Sequence, residues 1–567
     1  MSRTNEIRFE ESSDNEEPII KCLICDELHS TDTHYNSWQE EAEIFGDKGT
    51  SLKEEIKDNQ EITEFLKRRE QVTKKSEGRL PSKLTKSARK RIELLLDPGT
   101  FQELGVFVCH NVHRFGMEKR HIPGDGVVTG FGQINEKEVC IYAFERSVFG
   151  GSLGEAAAQK ICCLLDHAIG HGMPIIGLID SAGARIQEGV GSLGGFGEVF
   201  RRNVRASGII PQISVIFGPS AGGAVYSPAL TDFVIMVERT SQMFLTGPAV
   251  VEATTGQRSS LEDLGGSNIH ATKSGVAHLT AKDEKNAIQT VRHLLAYLPQ
   301  NNTEHPPNQP QSPGGRNRFR DLTKIASLSS KAPYDMHKIL LAIVDNAELL
   351  ELQKKWAPNI ITAFARLGGL TVGLVANQPA KLCGVLDINS AEKAARFVRF
   401  CDAFNIPILT LVDVPGFLPG IDQEHNGIIK HGAKLLFAYS EASVTRITVV
   451  IRKAYGGAYI VMGSKHLGTD VCFAWPTAEI AVMGAPGAVK ILYKRDLAQA
   501  ENSNEIKKEL EDQYKKEIVG PYVAAERGFI DDIILPEETR PRLITVLRTL
   551  ATRSADKISK KHGNIPL

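Results

Sequence analysis

Short apolar runs alternate with amphipathic stretches along most of the chain. Continuous apolar runs at residues 138–144, 174–179 and 212–217 predict buried strands. Apolar positions at helical spacing in residues 154–169 and 197–207 place one helix between each pair of successive strands. This order predicts an α/β domain in which helices cover the sheet.

The same pattern occurs a second time further along the chain. The strand-like run that precedes the Gly-Gly-Ala of residues 222–224 has a counterpart before the Gly-Gly-Ala of residues 456–458. Residues 160–180 likewise match residues 393–413. A repeat of this length indicates a duplicated domain rather than an array of small modules.

The duplication divides the chain into three parts. We predict an N-terminal extension at residues 1–77, a first domain at 80–320 and a second domain at 325–567. Residues 301–318 are rich in Pro, Asn and Gly and form the linker. Within the extension, the charged residues 52–75 predict a solvated helix.

The extension also contains a Cys-x2-Cys pair, which is half of a zinc knuckle. His29 and His34 follow Cys22 and Cys25 and complete a candidate Cys2His2 ligand set for zinc. The four positions are crowded and no second Cys-x2-Cys follows, so an unmetallated remnant is the alternative. A nucleic-acid role for this segment is a further hypothesis, and it predicts salt-sensitive binding.

Composition narrows the classes of function. The 567 residues carry a formal net charge of −1, which argues against a dedicated nucleic-acid binder. No apolar run approaches the ~20 residues of a membrane span, and residues 1–17 are polar and acidic, unlike a signal peptide. Nine scattered cysteines are typical of reduced thiols. We therefore expect a cytoplasmic protein without membrane contact.

The Gly-Gly pairs are the candidate chemistry. A Gly-Gly pair where a strand turns into a helix can leave two backbone N–H groups aimed at one point. Because glycine has no Cβ, a ligand oxygen can approach that backbone closely. A lone Gly-Gly pair is more often only a tight turn, but the second copy favours two oxyanion sites that serve one reaction.

Longer motifs carry a resemblance to a known family. They are FGGSLGEAAAQKI from Phe149, DSAGARIQEGV from Asp180, SGIIPQISVIFGPSAGGAVYSPALTDF from Ser207, SGVAH from Ser274, DVPGFLPG from Asp413, RKAYGGAY from Arg452 and AWPTAEIAVMGAPGAV from Ala474. With these motifs the chain resembles the β (carboxyltransferase) subunit of biotin-dependent acyl-CoA carboxylases, of the propionyl-CoA and acetyl-CoA carboxylase type. The resemblance covers residues 80–567 almost continuously.

The resemblance implies two crotonase-like domains, each a spiral of ββα units, in a homo-oligomer with a hexameric core. It places acyl-CoA on the first domain and biotin, carried on another protein, on the second. Each active site would lie between the first domain of one subunit and the second domain of its dimer partner. The residues implied as catalytic are Gly222 and Gly223 for the thioester oxygen, and Gly457 and Ala458 for the ureido oxygen of biotin. The residues implied in substrate binding are Ala221, Ala224, Tyr459 and Ile460.

The implied chemistry needs no protein base, because the biotin anion itself takes the α-proton of the acyl-CoA. Ser181, Ser220 and His278 are accordingly expected to be structural, since no Gly-x-Ser-x-Gly elbow surrounds either serine. The chain has no Met-Lys-Met biotinylation signature and no ATP-grasp region. We therefore expect partner subunits that provide biotin carboxylase, which uses ATP, and the biotin carboxyl carrier.

One position departs from the propionyl-CoA pattern. After the second Gly-Gly-Ala-Tyr, propionyl-CoA carboxylases usually carry Asp, whereas this chain has Ile460 and resembles relatives that use acetyl-CoA. We expect activity on acetyl-CoA, shared with propionyl-CoA, because one methylene gives only ~1–3 kcal/mol of discrimination. Two alternatives are the carboxyltransferase subunit of a sodium-pumping acyl-CoA decarboxylase and a non-catalytic assembly scaffold.

Overall fold

The computed structural model describes residues 19–21, 28–30, 60–76, 86–310, 322, 324, 332–499, 502–550 and 561–566. The chain forms two compact units, Met1–Lys75 and Ser76–Leu567. In the first unit, the strands Ile19–Lys21 and Leu28–Ser30 pair antiparallel. Of the solvated helix predicted at residues 52–75, the part from residue 60 onward lies within the described residues. The helix there is Gln60–Ser76, with most of its described side chains exposed.

The described strands are numbered β1 to β19 in chain order: Ile19–Lys21, Leu28–Ser30, Gln102–Leu104, Val127–Ile134, Lys137–Phe144, Ile175–Ile179, Gln212–Ile216, Pro219–Ala221, Phe233–Val237, Gln242–Phe244, Leu279–Ala281, Leu349–Leu352, Ile360–Leu367, Leu370–Asn377, Ile408–Val414, Arg446–Tyr455, Val471–Ala474, Glu479–Ala481 and Asp532–Ile533. The described α-helices are Gln60–Ser76, Ala88–Leu95, Glu155–His171, Val190–Ala206, Gly223–Leu230, Pro248–Thr255, Leu261–Gly265, Ser267–Ile269, Glu284–Leu295, His337–Ile343, Ile388–Ala403, Ile421–His425, Ile428–Glu441, Gly456–Val461, Ala485–Leu492, Lys494–Gln499, Ser503–Tyr514, Pro521–Glu526 and Thr539–Thr549. Over the described residues, no helix is both long and apolar enough to cross a membrane.

The second unit contains two large sheets built on one plan. The first sheet has seven strands in the order β11-β9-β7-β6-β5-β4-β3, antiparallel from β3 to β5 and parallel from β5 to β11. The second has eight strands in the order β12-β13-β14-β15-β16-β17-β19, with β18 beside β16. It is antiparallel from β12 to β14 and parallel from there on. The two halves thus share one topology, as a duplicated domain predicts.

The halves differ where each strand approaches its Gly-Gly pair. β16 is ten residues long and runs unbroken to Tyr455, pairing first with β17 and then with β18. In the first half β7 ends at Ile216, and β8 forms a separate two-stranded parallel sheet with β10. The break lies at Gly218, where a Cβ would come 2.2 Å from Oδ1 of Asp180. No side chain fits at that point of the strand.

A glycine-rich stretch forms more helix than its composition predicts. The helix predicted at 197–207 begins earlier and spans Val190–Ala206. Its glycines disfavour a helix in isolation, but tertiary packing requires one of them. A Cβ on Gly195 would come 2.6 Å from the Cβ of Ala158 on the helix Glu155–His171. The glycine lets the two helices approach closely and cover the same side of the sheet.

A buried lysine caps backbone carbonyls in each half, at matching positions of the repeat. Nζ of Lys160 donates to the carbonyls of Gly124, at 3.1 Å, and Val127. Nζ of Lys393 donates to several carbonyls, among them those of Gln353, Trp356 and Ile360 at 3.0, 3.0 and 2.9 Å. Burial lowers the pKa of both lysines to about 8. In both copies of the repeat, a buried lysine therefore binds the carbonyls of the equivalent loop.

Replacing Lys393 by methionine is expected to lower the free energy of unfolding by about 2 kcal/mol or more. Methionine fills a similar space but leaves the buried carbonyls without a donor. The matched control is Lys354→Met, since that side chain is 72% exposed and the change should cost no more than about 0.5 kcal/mol. Denaturant unfolding of the two variants measures the difference, and equal losses would contradict a capping role.

Candidate functional site

The first glycine turn (Gly222–Gly223) joins β8 to the helix Gly223–Leu230. Gly222 has φ 60° and ψ −127°, a conformation that favours glycine. Its N–H donates to the carbonyl of Phe244 at 3.2 Å, and its carbonyl accepts the N–H of Val225 at 3.1 Å. The N–H groups of Gly223 and Ala224 open the helix and have no acceptor inside it. These two are the donors that the turn can offer a ligand.

The second glycine turn (Gly456–Gly457) ends β16 and opens the helix Gly456–Val461. Gly456 has φ 59°, so the right-handed helical backbone starts at Gly457. A Cβ on Gly456 would come 3.1 Å from the carbonyl oxygen of Val482, whereas nothing lies within 4 Å of a Cβ on the exposed Gly457. The N–H groups of Gly457 and Ala458 again have no acceptor inside the helix. An oxygen can approach these donors from the open side.

The two turns superpose in register through their first glycine. Gly222 and Gly456 share a positive φ, at 60° and 59°. Gly223 therefore corresponds to Gly457, and Ala224 to Ala458. The implied catalytic residues of the first turn, Gly222 and Gly223, are its first and second positions. Those of the second turn, Gly457 and Ala458, are its second and third positions. With the N–H of Gly222 bonded to Phe244, Gly223 and Ala224 are the counterparts of Gly457 and Ala458. The implied pair Gly222 and Gly223 stays a prediction.

The other residues implied in substrate binding lie close to these turns in the chain. Ala221 ends β8, and Ala224 is buried in the following helix. Tyr459 is 5% exposed with its ring in the core, and no described group bonds its hydroxyl. Ile460 is half-buried and packs against the same core. The role of these four residues in substrate binding stays a prediction.

A buried aspartate holds the strands beneath each turn. Asp180 follows β6 and accepts from Nη1 of Arg146 at 2.8 Å, while Arg146 also reaches the carbonyl of Pro219 in β8 at 3.3 Å. Asp413 in β15 accepts from Nε of Arg452 at 3.0 Å and from the N–H of Lys453 at 3.1 Å. Burial raises the pKa of both aspartates, and the arginines oppose that rise.

Sequence reasoning missed these arginines because the repeat does not place them in register. Arg146 aligns with Pro379, and Arg452 aligns with Gly218. Arg146 lies in the turn after β5, whereas Arg452 lies on β16, so the two aspartates take their cations from non-equivalent elements. Arg91, on the helix Ala88–Leu95, also lies 3.6 Å from Asp180. The only signal available was the matching of Asp180 with Asp413 at the ends of equivalent strands, which indicates a buried acid that needs a partner in each half.

The serines and the histidine expected to be structural are engaged with the backbone. Oγ of Ser181 accepts the N–H of Gly183 at 3.2 Å, and both serines are 0% exposed. Oγ of Ser220 donates to the carbonyl of Gly218 at 3.4 Å. Nδ1 of His278 accepts the N–H of Val234 at 3.1 Å. These contacts fix loops, and the structural role expected for the three residues stays a prediction.

The predicted zinc ligands lie mostly outside the described residues. This holds for Cys22, Cys25 and His34, whereas His29 is described only as backbone of β2, opposite Ile20. Within the described ranges, no group of three or more His, Cys, Asp or Glu side chains is placed to hold a metal ion. The zinc set stays a prediction.

Known proteins resemble this chain over most of its length. Residues 82–565 match the carboxyl transferase domain family. The propionyl-CoA carboxylase carboxyltransferase subunit of Haloferax mediterranei is 54% identical over 510 residues, covering 89% of this chain and 99% of that protein. The biotin-dependent acetyl-/propionyl-coenzyme A carboxylase beta5 subunit of Mycobacterium tuberculosis is 51% identical over 521 residues, covering 89% and 95%. The methylmalonyl-CoA decarboxylase subunit alpha of Veillonella parvula is 52% identical over 481 residues, covering 85% and 93%.

A solved structure shares the fold. The transcarboxylase 12S hexamer, crystallised with methylmalonyl-coenzyme A and methylmalonic acid, is 46% identical and superposes with a TM-score of 0.83 over 85% of this chain and 93% of that one. The predicted α/β class with two crotonase-like domains is thereby confirmed, while the domain boundaries stay predictions. By its two sheets of one topology and these relatives, the chain belongs to the carboxyl transferase family, among the carboxyltransferase subunits of biotin-dependent acyl-CoA carboxylases.

Proposed function

We propose that this chain transfers a carboxyl group from biotin, held on a partner protein, to the α-carbon of acetyl-CoA or propionyl-CoA. The observation that carries the proposal is the pair of equivalent turns, each with two helix-opening N–H groups. Negative charge develops on two oxygens in this reaction, and preorganised N–H donors stabilise such charge most effectively. One chain with two turns supplies a donor pair for each oxygen.

In the first half, Gly223 and Ala224 hold the thioester oxygen as the α-carbon loses its proton. A Cβ on Gly223 would come 2.8 Å from the ring of Phe196, so the backbone there is pressed against an apolar wall. An apolar wall lowers the local dielectric and strengthens the N–H groups as donors. The function of this turn is therefore to bind charge, and the chain itself moves no proton.

In the second half, Gly457 and Ala458 hold the ureido oxygen of biotin. The residues fit that group, because the open side of Gly457 leaves space for a ligand oxygen next to the N–H groups. When bound, biotin supplies the carboxyl group and then acts as the base. Partner subunits with biotin carboxylase and the biotin carrier complete the reaction and bring the requirement for ATP.

We infer a hexamer like that of transcarboxylase 12S, in the cytoplasm. Apolar side chains near both turns are uncovered in the single chain: Ile186 is 90% exposed, Val190 84%, Ile429 80% and Val482 85%. Exposed apolar side chains that form a contiguous patch mark surfaces that other protein covers. Copies of the chain that met through these residues would bring the first half of one next to the second half of another.

Ile460 supports a preference for acetyl-CoA over propionyl-CoA. It lies in the helix that the second glycine turn opens and is half-buried, where an Asp would present a carboxylate. Replacing a carboxylate by an apolar branched side chain changes the volume and the polarity of the neighbouring space. Ile460 is the residue on which the proposed preference for acetyl-CoA rests.

The reverse reaction on the purified oligomer tests the proposal. The chain would be offered malonyl-CoA or methylmalonyl-CoA, with and without free biocytin, and the decarboxylated acyl-CoA would be followed. We expect biocytin-dependent loss of both substrates, faster for malonyl-CoA. A preference for methylmalonyl-CoA would keep the carboxyltransferase and refute the substrate preference. Turnover without biocytin, or no turnover, would overturn the proposal.

The decarboxylase relative supports a second candidate, in which the same turns act in the opposite direction. A carboxyltransferase subunit that feeds a sodium-pumping decarboxylase would also show biocytin-dependent turnover. Co-purification of the native complex separates the two: a biotin carboxylase subunit indicates carboxylation, whereas a membrane-embedded decarboxylase subunit indicates the reverse.

A further inference from the structure

An aromatic ring lies at the same place beside each glycine turn, but it comes from opposite strands. In the first half Phe244 on β10 pairs with Ala221 on β8, and its ring lies 3.6 Å from a Cβ built on Gly247. In the second half the aromatic residue lies on the strand that leads into the glycine turn, and the alanine lies on its partner strand. Tyr455 on β16 pairs with Ala481 on β18, and its ring lies 3.0 Å from a Cβ built on Gly484.

The two glycines that the rings contact are equivalent. Gly247 precedes the helix Pro248–Thr255, and Gly484 precedes the helix Ala485–Leu492, each with an extended backbone. The large residue and the small residue of the cross-strand pair have thus exchanged strands while the ring keeps its position. In the second half, the ring carries a hydroxyl and belongs to the residue directly before the glycine turn.

The hydroxyl of Tyr455 donates to Oε2 of Glu479 on β18. Burial raises the pKa of Tyr455, and Glu479 raises it further, so the hydroxyl keeps its proton and remains the donor. In the first half the strand position of Glu479 is taken by Gln242, whose amide nitrogen donates to Oε2 of Glu262 at 3.2 Å instead. The hydroxyl–carboxylate bond is therefore a feature of the second half alone.

The bond fixes the backbone that leads into the donors. Tyr455 has φ −112° and ψ 136°, and the next residue, Gly456, must turn to φ 59° before the helix begins. The ring is held on one side by Gly484 and at its hydroxyl by Glu479, so the peptide between Tyr455 and Gly456 has little freedom to rotate. Small misplacements of a group that contacts the reacting atoms reduce rates strongly.

We propose that Tyr455 and Glu479 form a positioning pair that orients the second glycine turn toward the oxygen it binds, an inference that rests on the proposed carboxyl transfer. Neither residue takes part in the chemistry. The pair acts through the direction of the N–H groups of Gly457 and Ala458. Its loss should disturb the biotin side of the reaction and leave the acyl-CoA side unchanged.

The test measures biocytin-dependent decarboxylation of malonyl-CoA by the variants Tyr455→Phe and Glu479→Gln. Tyr455→Phe keeps the ring but removes the donor, and we expect kcat to fall and the KM for biocytin to rise, each about tenfold, which is less than the loss of an oxyanion donor itself. The KM for malonyl-CoA should stay within about twofold. Glu479→Gln should remain close to the unmodified chain, because its amide oxygen still accepts the O–H.

The matched control is Tyr439→Phe, which removes a buried hydroxyl bonded to Oγ1 of Thr410 at 2.8 Å, in the same half. It should lower stability and leave both KM values unchanged. If Tyr455→Phe does not assemble, Glu479→Ala removes the same bond from the acceptor side and should shift the same constants.

The outcomes separate the inference from the function on which it rests. An active unmodified chain with Tyr455→Phe unchanged, or with equal losses toward both ligands and a lower Tm, overturns the positioning pair only. No biocytin-dependent turnover in the unmodified chain overturns the proposed function and the inference with it.

Discussion

Gly457→Pro is expected to lower kcat for biocytin-dependent decarboxylation by about 100-fold to 1,000-fold, the loss typical for removal of one oxyanion donor. Gly457 is the first residue with a right-handed helical backbone after Gly456. Proline is favoured at that position because its fixed φ suits the first turn of a helix. The N–H that proline lacks has no acceptor within the helix at that position. The substitution therefore removes a donor without breaking the helix.

Gly457→Ala is the matched control, since it adds a Cβ and keeps the N–H. Nothing lies within 4 Å of that Cβ, so the protein itself does not resist it. We expect kcat within about threefold of the unmodified chain, because one methyl group in a site changes binding modestly. Circular dichroism and Tm of both variants check that the fold is intact. Equal activities of the proline and alanine variants would show that this N–H does not bind the developing charge.

Asp125→Ala is expected to lower the free energy of unfolding by about 1.5–3 kcal/mol, because it removes one of the two carboxylates that bind the buried guanidinium of Arg185. The other carboxylate, Glu188, stays at 2.8 Å. Nη1 of Arg185 donates to Oδ1 of Asp125 at 2.6 Å, and the two side chains are 1% and 0% exposed. Nη2 of Arg185 also donates to the carbonyl of Ser152 at 2.9 Å. The arginine thereby fastens the loop that follows Asp180, which packs against the strand of the first glycine turn.

The control for this change is Arg201→Ala, which breaks a pair with Glu198 whose side chains are 55% and 54% exposed. An exposed pair of this kind contributes about 0–1 kcal/mol. Denaturant unfolding measures both variants. If Asp125→Ala costs no more than the exposed pair, Glu188 and the carbonyl of Ser152 hold Arg185 without Asp125.

Much of the fold follows from apolar patterning and internal repetition. Strands β5, β6 and β7 begin and end within one residue of the predicted runs, because each is buried on both faces and reads as a continuous apolar stretch. The repeat also predicts that Lys160 and Lys393 have equivalent roles, which their carbonyl contacts show. Local sequence and tertiary structure agree at these positions.

Other features depend on contacts that a sequence does not display. The helix Val190–Ala206 forms despite its glycines because Gly195 is needed for close approach to Ala158. The register that we propose for the first donor pair rests on the bond from the N–H of Gly222 to the carbonyl of Phe244, two residues far apart in the sequence. The aromatic residue and the alanine exchange strands between the pair Ala221–Phe244 and the pair Tyr455–Ala481. This exchange likewise becomes visible only when the strand pairing is known.

The different construction of the two turns has a consequence for how they open. The second glycine turn continues β16, an interior strand of the large sheet, so it can be released only together with that strand. The first is attached to the small β8–β10 sheet and can be released with far fewer broken bonds. Regions with fewer bonds to break exchange their amide hydrogens through smaller, cheaper openings. The second glycine turn is therefore the more rigid of the two. A local opening of the first glycine turn need not disturb the hydrogen bonds of the main sheet.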